Sequence, residues 1–291
     1  MNLFPLRVVC AGFLALALIA CLRPSAFAAG ISSDEFLKQA AAAYSRMDRV
    51  EAITLATKAV EADPKNVKAW SVRAQYYEQT RQDALAVADY GRAIQLQTNT
   101  AALYQHRGWL QFRLARFAES IADFDQFLRL QPAQAPYHWQ RGIVCYYAGR
   151  FEDGRRQFEL HQTVNDNDVE NAVWHYLCVA RSAGLEKARA ALIPIGHDAR
   201  VPMMQVHALF AGKAKPEDVL AAAKEGNPSV LQQQLFFAHL YLGLYHEAAG
   251  DTTKAREHLA KAAHDFKADH AMGDVARVHT ALLRAKPDAR P

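Results

Sequence analysis

Apolar and polar positions between Ala101 and Phe158 follow a pattern that is written twice. The stretch Tyr104-Gln-His-Arg-Gly-Trp-Leu-Gln-Phe112 continues through Phe117-Ala-Glu-Ser-Ile-Ala-Asp-Phe124 and stops at Pro132. It restarts as His138-Trp-Gln-Arg-Gly-Ile-Val-Cys-Tyr-Tyr147 and Gly149-Arg-Phe-Glu-Asp-Gly-Arg-Arg-Gln-Phe158, offset by 34 residues. The same step places Ala40, Ala74, Gly108 and Gly142 in one register, and Ala52, Ala86, Ser120 and Gly154 in another. Phe36, Trp70, Tyr104 and His138 form a third series. A 34-residue period of this kind predicts paired helices that stack into a solenoid. Neither helix of a pair buries its apolar face alone, so each repeat completes the core of the next. Small residues fall where helices approach closely, and aromatics fill the space between layers.

Repeat one covers 33–64, with Asp34 or Ser33 as helix cap and an alanine-rich Gln39–Tyr44 that favours helix. Repeats two, three and four run over 67–98, 101–132 and 135–166. Beyond Asp168 the period weakens. Val169–Ala183 is one helix, stopped by Gly184, and Leu185–Ile193 is a shortened second. Pro202–Phe210 and Pro216–Lys224 are two short helices, the latter ended by Gly226-Asn-Pro228. A complete repeat returns around Tyr241–Tyr245 and Gly250–Ala262. Met272–Leu283 is an amphipathic helix expected to cap the stack. The chain thus divides into a leader over 1–28, four tandem repeats over 29–168, degenerate helical repeats over 169–229, and a C-terminal repeat with its capping helix over 230–291.

These residues resemble the tetratricopeptide repeat family, whose order of aromatic, small and aromatic residues, then small, aromatic and proline, occurs four times in succession. Pro64 and Pro132 close two repeats as that pattern asks, while Thr98 and Asp166 replace proline in the other two. The resemblance implies an all-α, right-handed α-solenoid. A looser likeness, through Pro202-Met-Met-Gln-Val-His-Ala-Leu-Phe-Ala-Gly212 and Pro216-Glu-Asp-Val-Leu220, is to NlpI-type bacterial envelope lipoproteins. That likeness implies an adaptor for envelope proteases or cell-wall hydrolases. A homodimer is left open.

Residues 1–28 read as a secretory signal peptide: Arg7, an apolar Val8–Leu22, then small residues at Ser25–Gly30. The apolar run is short of the roughly 20 residues that span a bilayer. Ala26-Phe-Ala28 fits signal peptidase cleavage before Ala29, whereas Leu18-Ile-Ala-Cys21 resembles a lipobox that would lipidate Cys21. The normal length of the Arg23–Ala28 spacer favours simple export to the periplasm or cell envelope, with any membrane tie confined to that lipid. Net charge is +4 for the whole sequence and falls to +2 without Arg7 and Arg23. No long basic run accompanies it, which argues against nucleic acid as a partner. Only Cys145 and Cys178 follow the leader. Both lie on first helices of adjacent repeats, where they either pair in an oxidising compartment or pack as small hydrophobes.

Chemistry-bearing motifs are sparse. The twelve histidines include no His-Glu-x-x-His, and His138, His161 and His175, which could approach one another between neighbouring repeats, read as packing or surface residues before ligands. Gly212-Lys-Ala-Lys lacks the glycine pattern of a phosphate loop, and no Gly-x-Ser-x-Gly is present. No catalysis, metal or cofactor is expected. Arg73, Arg107 and Arg141 repeat every 34 residues, and Asp89 and Asp123 follow the first two after sixteen. They read as links between the two helices of a repeat. Gln157 replaces the third acid, leaving Arg141 as the arginine expected to be free for a ligand.

In arrays of this family the first helices line the inner wall, and the register transfers that role to particular positions. The resemblance then implies a protein-binding groove of Gln105, Trp109, Phe112 and Arg113 from repeat three and Trp139, Ile143, Tyr146 and Tyr147 from repeat four. Ser71, Gln75 and Glu78 extend it into repeat two. A second reading makes the aromatic groove a receptor for a small ligand or cell-wall glycan. The bland alternative packs Trp109 and Tyr146 against neighbouring helices or the C-terminal repeat.

Intact-mass analysis of the mature protein is expected to show a chain beginning at Ala29. A diacylglyceryl group on Cys21 would overturn simple export while keeping an envelope location.

Overall fold

The computed structural model describes residues 31–225 and 228–285, so the leader, with Cys21 and the cleavage position, lies outside the described residues, as do Gly226 and Asn227. Paired helices fill the N-terminal half: α1 (Ser33–Ser45) with α2 (Arg49–Ala62), α3 (Val67–Gln79) with α4 (Asp83–Leu96), α5 (Ala101–Arg113) with α6 (Phe117–Leu130), and α7 (Trp139–Tyr147) with α8 (Phe151–Gln162). Helices α9 (Val169–Ala183) and α10 (Leu185–Ala190) follow, then α11 (Met203–Phe210) and α12 (Pro216–Lys224). Helices α13 (Leu231–Ala248) and α14 (Thr252–Ala260) form the last pair, and α14 runs on through a π turn at Lys261–Asp265 before α15 (Ala271–Ala285). Each pair packs within itself and then against the next, which makes the N-terminal half a helical solenoid. Among the described residues no helix is long and apolar enough to cross a membrane.

The register of small residues has a direct geometric cause. A Cβ placed on Gly108 would meet the Phe124 ring at 2.8 Å, one on Gly142 would meet Phe158 at 2.7 Å, and one on Gly243 would meet Leu259 at 2.5 Å. In all three pairs the second helix delivers its large side chain onto the backbone of the first, sixteen residues earlier. The turns between paired helices repeat as well. Met47, Arg81, Ala115 and Gly149 all take a left-handed conformation at successive steps of 34, and Gly250 does so in the last pair. Glycine suits that conformation, whereas an L side chain there costs of order 1 kcal/mol.

Arg73 donates from Nε and Nη2 to Asp89 at 2.6 and 2.8 Å, and Arg107 donates likewise to Asp123 at 2.8 and 2.7 Å, so both link the helices of their own repeat. Arg141 is not free. With no acid at position 157 it turns to Asp125 of α6, at 2.7 Å, and Gln157 instead donates to the Ala135 carbonyl. The cap of α1 is Ser32 rather than Ser33 or Asp34, because the Ser33 hydroxyl is drawn away to the Ala59 carbonyl. Pro136 delays the first helix of repeat four, and Pro132–Tyr137 makes a short 3-10 turn before α7 begins.

The core departs most from a simple stack. Small separate clusters lie between the first three pairs, but one large cluster runs from Trp109 to Leu283 and joins α5, α7, α9, α13 and α15. Helix α15 packs on the final pair and also reaches back to α5 and α7. It folds back across the first helices, burying Met272, Val275, Ala276, Val278 and Leu283 against them and against the final pair. Cys145 and Cys178 are free and buried.

The Arg107–Asp123 fork is half sheltered from water, so its two ends are expected to be thermodynamically coupled. In a double-mutant cycle with Arg107→Ala and Asp123→Ala, urea denaturation should show a coupling of roughly 0.5 kcal/mol or more. Strictly additive losses would show that the fork contributes nothing as a pair.

Candidate functional site: the inner face and its helical occupant

The inner face is the surface made by the first helices of the repeats, on which α15 lies. Aromatic side chains of α5 and α7 meet on it as a floor. Trp109 stacks on Phe112 with ring centroids 4.7 Å apart, Trp139 meets Trp109 edge-on at 6.2 Å, and Phe112 lies 5.4 Å from Tyr147. Tyr146 presents its edge to Tyr147 at 5.4 Å and to Trp174 at the same distance. This floor is not open. Trp109, Phe112, Ile143 and Tyr146 are buried, and Trp139 and Tyr147 are half-buried. Gln105 is engaged by Gln140 and His138, each at 2.6 Å.

What covers the floor is α15, held by one carboxylate. Asp274 accepts from the Trp109 indole Nε1 at 3.0 Å, from Arg81 at 2.5 Å and from Arg277 at 2.8 Å, and the Arg113 Nε is 3.9 Å away. Arg113 itself forks onto Asp83 and is 6% exposed. Burial by itself would raise the Asp274 carboxyl, but hydrogen bonds from Arg81 and Arg277 and the charge of Arg113 outweigh it and hold the group below its ordinary 3.8. Asp83 has fewer donors, and burial pushes it upward despite Arg113. Further along α15, His279 Nδ1 is 2.8 Å from the Tyr147 hydroxyl and its Nε2 is 2.8 Å from Glu247. The groove predicted for a partner therefore receives the chain's own last helix. The sequence carried one signal for this, an acid at Asp274 on the mostly apolar face of the helix, and nothing that named Trp109 as its partner.

The inner face remains open beside the start of α15. A cleft of about 470 Å3 is lined by Arg49, Glu78, Gln79, Arg81, Arg113 and His270, among others. Gln75 and Gln79 on α3 are exposed, and Ser71 is half-buried. Histidines 138, 161 and 175 are spent on packing: His138 bonds Gln105, His161 the Pro136 carbonyl, and His175 approaches Glu159 at 3.4 Å. Burial lowers His138 to about 4, so it is neutral at physiological pH. No cluster of three or more His, Cys, Asp or Glu suited to a metal occurs among the described residues. Burial pushes the Cys145 thiol up to about 11 and Cys178 higher still, which keeps both protonated and poorly nucleophilic.

Comparison with known proteins agrees with this architecture. Residues 107–163 match the family model of the tetratricopeptide repeat. Among solved structures, the chain is similar to a tetratricopeptide repeat protein from Parabacteroides merdae, with a TM-score of 0.57 and 15% identity over 87% of this chain and 98% of that one. It is also similar to the MamA protein, with a TM-score of 0.51 and 15% identity over 62% of this chain and 92% of that one. At such identity the likeness concerns the fold alone. No curated protein matches the sequence.

Removing the Asp274 carboxylate strands the buried Trp109 indole N–H and the half-buried Arg277 and frees the exposed Arg81, so Asp274→Ala is expected to cost about 3 kcal/mol in urea unfolding. Because its folded pKa is depressed, its contribution is present above the ordinary aspartate value and is lost as pH falls through the lower folded value. The wild type should therefore lose more stability on acidification than the variant does. Trp109→Ala should act as a core truncation, costing about 3–5 kcal/mol. A normal melt for either variant would contradict the buried arrangement.

Proposed function

We propose that this tetratricopeptide-repeat solenoid is an exported interaction scaffold that holds a partner protein against the open part of its inner face and performs no catalysis itself. The observation that supports it most is α15. An amphipathic helix seated along the first helices, with Asp274 held by Trp109, supports a wall that takes segments of this kind. Helix-in-groove recognition uses that geometry. The cleft beside it alternates Arg49, Arg81 and Arg113 with Glu78 and Asp269, which suits a partner segment carrying both charges. Export follows from the leader-like order of residues 1–28. The narrower proposal, envelope proteases or cell-wall hydrolases as partners, follows from the looser resemblance alone. A glycan receptor would need exposed rings, and the burial of Trp109, Phe112 and Tyr146 takes that surface away.

The test is crosslinking of the intact protein in envelope extract, followed by one-to-one reconstitution with the partner so identified. Gln75→Lys combined with Gln79→Lys should abolish the complex and leave the melting temperature unchanged, because both side chains are exposed. Glu61→Lys on the outer helix α2 should do neither. A complex that survives the double variant would remove the inner face as the site.

A further inference from the structure

We propose that a cavity between α7, α8 and the start of α9 is a binding pocket for an organic cation, an ammonium or guanidinium group on a short apolar stem. The cavity measures about 200 Å3. Its apolar walls are Trp139, Ile143, Phe158 and Trp174, with Met272 of α15 closing one side. That is larger than the roughly 150 Å3 that accommodates a benzene ring, so one long side chain or small amine fits.

The polar lining is rich in oxygen acceptors, against one buried donor without an acceptor, the Trp174 indole Nε1. Asn165, Asp168, Glu170 and Asn171 contribute oxygen acceptors to it. Asn171 spends its amide hydrogens on the Phe158 carbonyl and on Gln162, at 3.0 and 3.1 Å, which leaves its buried Oδ1 without a donor. Glu170 faces the buried Tyr241 hydroxyl of α13 and Arg200, so Asn171 Oδ1 is the acceptor on this wall that lacks a donor. Three carboxylates share Arg200: Asp168 and Asp198 at 2.6 Å and Glu170 at 3.3 Å. A residual negative charge therefore sits beside two indole rings, an arrangement that attracts a cation through both its charge and the ring faces. An ammonium or guanidinium brings several N–H donors and a positive charge to this wall, whereas an alcohol of the same size brings one O–H and no charge.

The state of Glu170 fits this use. Burial pushes its carboxyl up to about 7, against the opposing pull of Arg200, so near neutrality the empty pocket holds a proton part of the time. An arriving cation favours the ionised form and expels that proton. The groups facing Glu170 are Arg200 from the segment before α11, itself paired with Asp198, Asp168 at its own helix start, and Tyr241 from α13. His161 of α8 stands 3.9 Å from Asp168. Binding should therefore strengthen as pH rises through neutrality.

The test is isothermal titration of the intact protein with n-butylammonium, n-butylguanidinium, 1-butanol and the blocked tripeptide acetyl-Gly-Lys-Gly-amide. Both cations are expected to bind one-to-one and more tightly at higher pH, and butanol not to bind. Glu170→Gln should weaken the cations roughly ten-fold or more and flatten the pH dependence. Trp139→Leu keeps an apolar wall and should weaken the cations as well, which covers a Glu170 variant that fails to fold. Butanol binding as well as butylammonium, or cation affinity unchanged in folded variants, would overturn the pocket. A tripeptide tighter than butylammonium assigns the pocket to a partner's lysine, and the reverse order assigns it to a free amine. Amine binding is read on the isolated protein, so it succeeds or fails independently of partner capture through Gln75 and Gln79.

Discussion

A carboxylate withdrawn from water needs donors, and Asp274 finds them on three separate parts of the chain. Trp109 comes from the middle of α5, Arg81 from the left-handed turn between α3 and α4, and Arg277 from its own helix. A buried charge left unpaired is costly, so α15 has one acceptable seat and these groups define it. The turn matters here. Arg81 holds its left-handed backbone at the same step of the repeat as Met47, Ala115 and Gly149, and there it projects toward the inner face.

That single contact divides the molecule into two regimes. Ahead of it, the first helical pairs behave as a stack, each burying only its neighbours and each closed by the small-against-large contact between paired helices. Behind it, α15 ties the last pair back to α5 and α7, and the aromatic floor becomes the interior of a continuous core. The same closure makes the cavity under Met272, since α15 supplies one wall of it. The inner face of the early repeats and the edge where α15 begins stay uncovered by α15.

Much of this was legible in the sequence because the repeat is a local code. The 34-residue step placed the small residues opposite Phe124 and Phe158, and it placed Arg73 and Arg107 opposite their acids. Legibility ended where the contact spans the chain. The eight expected groove residues lie on α5 and α7, yet Trp109 among them is covered through Asp274, 165 residues further on. No periodicity carries that information. Arg141 failed for a related reason: losing the acid at one register position did not leave it unpaired, because Asp125 was within reach on the preceding helix. Glu170 gave no signal at all, since an acid just after a helix cap reads as ordinary first-turn charge.

The most direct measurement is on the Trp109 indole N–H in solution, assigned in a 15N-labelled sample by comparison with Trp109→Phe. With α15 seated on Asp274, that proton should exchange slowly with water, and Asp274→Ala should shift its resonance and open it to fast exchange. A Trp109 indole proton that exchanges freely in the wild type, and does not move when Asp274 is replaced, would contradict the account.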